Sequence, residues 1–106
     1  MALTAALIGT TNTTVYTSSG NNAVTCMMVC NYSVAATTLS LYAVPNSAGS
    51  VGTASNTNKI VSALSIPSGE TVTLDQEKLV LASNDTLVAI AGTTTSLNIV
   101  ISTLPV

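Results

Sequence analysis

From about residue 23 onward, apolar and polar residues alternate with a period of two, the repeat of a half-buried β-strand. Val24, Cys26, Met28 and Cys30 fall on one face of the first such segment, with Thr25, Met27, Val29 and Asn31 on the other. Leu39, Leu41 and Ala43 alternate with Ser40, Tyr42 and Val44, and Pro45 ends that strand because it cannot donate to a ladder. Ile60, Ser62, Leu64 and Ile66 give the next segment, stopped by Pro67, Ser68 and Gly69. Short segments follow at Val72 and Leu74 and from Leu79 to Leu81, then Leu87, Ala89 and Ala91, and finally Leu97, Ile99 and Ile101. Gln76, Glu77 and Lys78 are too few to nucleate a helix and read as a turn or one helical turn. No segment carries a helical stripe. Short strands punctuated by turn signals predict an all-β fold, an antiparallel β-sandwich, jelly-roll-like or Ig-like, of about eight short strands.

The ends of this pattern are less regular. Residues 2–8 read as an edge strand or as an arm reaching a neighbour, and residues 10–22 are rich in Thr, Ser and Asn around one short strand at Val15 and Tyr16. The chain length supports one domain over residues 1–106, with residues 1–13 open to the arm reading. The longest irregular stretch is NSAGSVGTASNTN, residues 46–58. Connections of this length are uncommon unless they function or move, so it reads either as a contact surface or as a loose hairpin tip.

Composition narrows the function. Hydrophobic residues make up 47% of the chain, enough for a core, but they are mostly Ala, Val, Leu and Ile with no Phe or Trp. A core of small pieces gains from burying more area at subunit contacts. Only 6% of residues are charged and the net charge is −2, so copies repel one another weakly and association is favoured. Lys59 and Lys78 are the only cations, which disfavours direct nucleic-acid binding. The opening MALTAALIGT lacks the basic region of a secretory signal, and no apolar run approaches the ~20 residues of a membrane span. Synthesis in a cytoplasm is the expectation.

Candidate chemistry is sparse. There is no His, so a Ser or Thr nucleophile lacks its usual base, and nothing around Lys59 or Lys78 marks either as a buried partner. Glu70 and Asp75 flank a short strand at an odd spacing that sends them to opposite faces. Asn84 and Asp85 suit a turn, with a weak calcium site there as the alternative. Cys26 and Cys30 would lie ~13 Å apart on a strand, beyond the reach of a disulfide. Two thiols without His cannot complete a zinc tetrad. They read as buried free thiols facing the side of Val24 and Met28, with a disulfide between subunits as the alternative. The sequons at Asn12, Asn31 and Asn84 are what a Ser- and Thr-rich chain produces by chance. No catalytic residue, cofactor or metal is expected.

The stretch VCNYSVAATTLSLYAVP, then IPSGETVTLDQEKLVLASNDTLVAI and a final NIVIST, resembles small β-sandwich virion proteins of tailed bacteriophages, over residues 24–103. The shared motifs are a C-N-x-S turn, an L-x-L-Y strand, a long loop and a G-E-T-hydrophobic-x-L-D segment. The resemblance implies a non-enzymatic capsid decoration, or cement, protein on the capsid exterior. Its implied partners are copies of itself, as a homotrimer, and the major capsid protein. The alternatives are a tail, neck or fibre component, or a carbohydrate-binding host-recognition module whose aromatic platform would have to come from Tyr16, Tyr32 and Tyr42. Ala2, Leu3, Leu7 and Ile8 near the start and Asn46, Ser50, Val51 and Asn56 in the long loop are the expected protein-contact residues.

Overall fold

A computed structural model describes residues 2–74 and 79–106, and they form nine strands and no helix. These are β1 (Ala2–Ile8), β2 (Thr13–Thr17), β3 (Asn22–Asn31), β4 (Thr37–Val44), β5 (Lys59–Ile66), β6 (Thr71–Leu74), β7 (Leu79–Leu81), β8 (Thr86–Ala91) and β9 (Leu97–Pro105). Asp75, Gln76, Glu77 and Lys78, with the turn expected there, lie outside the described residues.

All pairing is antiparallel, and the chain folds back along its own length. β1 pairs with β9, β2 with β8, β3 with β6 and β7, and β4 with β5. This long hairpin then rolls up, because β3 also pairs with β9 and β4 with β8. The outcome is one sheet in the order β1-β9-β3-β6, with β7 in line beside β3, and a second in the order β2-β8-β4-β5. With β6 and β7 sharing one lane, this is the eight-lane order of a jelly roll.

The core lies between the sheets, where the alternation put it. Leu39, Leu41, Leu87, Ala89, Leu97, Ile99 and Ile101 all point inward. Two places break the pattern. Between Val24 and Cys26 the register of β3 against β9 slips by one residue. An extra residue in a strand moves everything beyond it to the other face. Val24 therefore shares the interior with Met27 and Val29, while Cys26, Met28 and Cys30 turn outward. In β5, register shifts and a positive φ of 48° at Ala63 bring Val61 inward and leave Ile60 and Leu64 exposed.

Among the described residues, Asn31 is the one fully buried side-chain amide, and it is satisfied from all sides. Its Nδ2 donates to the carbonyls of Ala35 and Ile66, both at 2.9 Å. Its Oδ1 accepts from Ser33 N at 3.0 Å and Ser33 Oγ at 2.7 Å. Its backbone N–H donates to Glu70 and its carbonyl accepts from Gly69. The C-N-x-S turn is thus a clasp joining the end of β3, the exit of β5 and the turn before β6. A glycan at Asn31 is incompatible with this burial.

Candidate interaction surfaces

Residues 46–58 are folded against the outer face of the β2-β8-β4-β5 sheet. Tyr42 and Val44 of β4 and Val88 of β8 form a second small core there, with Ile90 and Ala54 packed on it. Within the loop, Ser47 and Ser50 exchange backbone hydrogen bonds of 2.7 and 2.9 Å around Ala48 (φ 51°) and Gly49 (φ 84°). Two positive φ values in a two-residue turn are the geometry of a tight hairpin. Gly52 passes so close to the chain that an added Cβ would collide with the Pro45 carbonyl oxygen.

Asp85 pins the base of this loop. Its Oδ1 accepts from Asn46 N at 2.7 Å and Asn46 Nδ2 at 2.9 Å, and its Oδ2 accepts from Ala82 N at 2.9 Å. Burial pushes the Asp85 carboxyl up, but the hydrogen bonds from Ala82 and Asn46 together outweigh it and hold it below its ordinary value. Asn84, at φ 67°, donates from Nδ2 to the Gly49 carbonyl and ties down the loop tip. Both residues of the Asn84–Asp85 turn are therefore occupied in holding the loop, and among the described residues no group of three His, Cys, Asp or Glu could hold a metal.

An open hollow of about 420 Å³ lies beside this loop, walled by Ala43, Val44, Pro45, Lys59, Leu81 and Asp85 among others. Its cation is spoken for: Lys59 Nζ lies 5.5 Å from the centroid of the Tyr42 ring. Its hydroxyl, Thr57 Oγ1, shares a hydrogen bond of 2.7 Å with Ser55 Oγ, and the Asp85 carboxylate is bonded to Asn46 and Ala82. The tyrosines do not make a sugar platform. Tyr42 is buried beneath Lys59 and the loop, Tyr16 is half-buried on β2, and only Tyr32, beyond the end of β3, is exposed.

The outer face of the other sheet is different in kind. Register places Leu3 beside Ser102 and Cys26; Ala5 beside Val100, Met28 and Thr73; and Leu7 beside Asn98, Cys30 and Thr71. None of these side chains is charged, and Leu3 (73%), Leu7 (69%) and Met28 (41%) are exposed. The expectation of buried thiols is corrected here. Cys26 and Cys30 are free but only half-buried on this outer face, because the slip at Val24/Cys26 turned them out. Measured against known families, curated proteins and solved structures, the chain has no match.

The expected contact residues divide. Residues 2–8 form the edge strand β1, with Ala2 paired to Thr103 and Ile8 only 3% exposed in the core. Leu3 and Leu7 are on the surface. Asn46 is half-buried in the Asp85 network, whereas Ser50, Val51 and Asn56 are exposed on the loop. Ala5, Met28 and Val100 belong to the outer face and escaped sequence reasoning. The available signal was that β1 and β3 carry apolar or thiol side chains on their outward positions as well, Leu3, Ala5 and Leu7 on one and Cys26, Met28 and Cys30 on the other.

Proposed function

We propose that this chain is a non-enzymatic structural subunit of a bacteriophage virion, a capsid decoration protein that binds the outer shell and reinforces it. The observation that carries the reading is the uncharged outer face of the β1-β9-β3 sheet, with Leu3, Leu7 and Met28 exposed on it. Exposed apolar surface of this kind marks a place where another protein sits. A charge-poor face makes many weak apolar and backbone contacts, which symmetric repetition over a shell multiplies into strong attachment. The jelly-roll order supports the same reading, since shell proteins of viruses use it, as do lectins. Both the major capsid protein and copies of the chain itself are partners in this scheme.

The deciding experiment is the copy number of the chain per purified particle, by quantitative mass spectrometry against the major shell protein. Hundreds of copies match sites repeated with icosahedral symmetry. A few to a few dozen would move the chain to the tail, neck or fibre, where lower symmetry limits the count. Absence from particles would overturn the virion reading.

A further inference from the structure

A sandwich of two open sheets has four edges, and three of them here are blunted against pairing with another chain. The β6/β7 edge consists of two short strands, of four and three residues. The β2 edge has five residues and a register shift between Thr14 and Tyr16. The β5 edge carries Lys59, two register shifts and the left-handed Ala63. Short strands, charges and bulges are the devices by which natural sheets keep edges from pairing.

The β1 edge has none of them. Its seven residues, ALTAALI, pair with β9 in unbroken register from Ala2↔Thr103 to Ile8↔Leu97. It contains no charge, no Pro and no Gly. Being the last strand of its sheet, it leaves one side of its backbone without a ladder partner among the described residues. The two large side chains it holds outward, Leu3 and Leu7, are 73% and 69% exposed.

We propose that β1 is a self-association edge: two copies of this chain join by antiparallel β1–β1 pairing about a twofold axis at Ala5. That register overlaps all seven residues, sets Ala5 against its own copy, and sets Leu3 of each chain against Leu7 of the other. Directly opposed side chains on one face are the contacts that stabilise paired strands. The outer rows of the two sheets then run on across the seam as one uncharged surface. A second copy suits the edge because a twofold contact is self-complementary and closes. Joining β1 to the β6/β7 edge would instead need strands of unequal length to match, and such a head-to-tail contact builds a ring or a filament rather than a closed pair. The seam is about 24 Å long, short of a standard interface, so pairing of the isolated chain is expected in the micromolar range or weaker. The inference goes beyond the virion reading and concerns the chain in solution, so particle copy number tests the one and solution mass the other.

The test is light-scattering mass over a dilution series from about 1 mM, on the parent chain and two double variants. One carries Leu3→Glu with Leu7→Glu, the other Leu3→Lys with Leu7→Lys. The parent should run at twice the 10.6 kDa chain mass at high concentration. Each variant alone should run as a single chain, because like charges then face each other across the seam. An equal mixture of the two should return to the doubled mass, since Glu now faces Lys at both ends. Unchanged far-ultraviolet circular dichroism is expected, both positions being exposed. A parent that stays monomeric or runs as a trimer would overturn the pairing. So would variants that dimerise on their own, or a mixture that does not re-associate.

Discussion

Removing the Asn31 side chain tests whether the clasp at the end of β3 holds the two sheets in register. Asn31→Ala deletes the two hydrogen bonds donated to Ala35 and Ile66 and the two accepted from Ser33. Ala35 is exposed and Ser33 half-buried, so water can replace the bonds lost there. Those losses amount to about 1 kcal/mol together. Ile66 is fully buried, and its carbonyl loses a donor that water cannot easily replace. A buried polar group left short costs about 1–3 kcal/mol. The expected total is about 3 kcal/mol, or a fall in Tm of about 12–24 °C for a domain of this size. Thermal and urea unfolding followed by circular dichroism measure it. A loss below about 1 kcal/mol would refute the reasoning, because the turn and the exit of β5 would then be holding themselves. Asn31→Asp sharpens the test. It replaces the donor with an oxygen facing two carbonyls, and burial raises such a carboxyl above its unfolded value. The folded state then holds its proton to higher pH than the unfolded one, so this variant should gain stability on acidification from pH 7.

The parent chain should do the opposite in acid: Asp85 is held below its ordinary value, so its contribution is present above the unfolded value and is lost as pH falls below about 4. Asp85→Asn should flatten that limb of a stability–pH curve. Gly52→Ala should destabilise by about 1–3 kcal/mol, since the new Cβ meets backbone at Pro45 and the loop must lift off Tyr42 and Val44. An unchanged Tm would mean the loop does not contribute to stability. Thr86→Val should be neutral or stabilising by up to about 1 kcal/mol in urea unfolding, because the buried Oγ1 of Thr86 has no hydrogen-bond partner. Cys26 and Cys30 should both react with a small thiol reagent in the native state, and reaction only after unfolding would contradict their outward placement.

The alternation along the chain determined the class of fold and most of the core. Leu39, Leu41, Leu87, Ala89, Leu97, Ile99 and Ile101 face inward as their spacing requires, since a strand has only two faces. The scarcity of charge was equally plain in the sequence, and it is what leaves the outer face uncharged. Tertiary structure decided which face is which wherever the ladder slips. One extra residue near Thr25 sent Cys26, Met28 and Cys30 outward, and no local pattern marks such a slip because it depends on the partner β9. The long loop was legible as a loop, but its small core of Tyr42, Val44 and Val88 was not. Those residues sit on what the alternation assigns to the solvent side, and they are covered only because the loop after β4 folds back over the sheet. The same holds for β1. Its sequence announces an apolar strand, but whether its backbone is paired on both sides depends on the strand order. That order follows from how the long hairpin rolls up, which non-local contacts decide and short-range spacing does not encode.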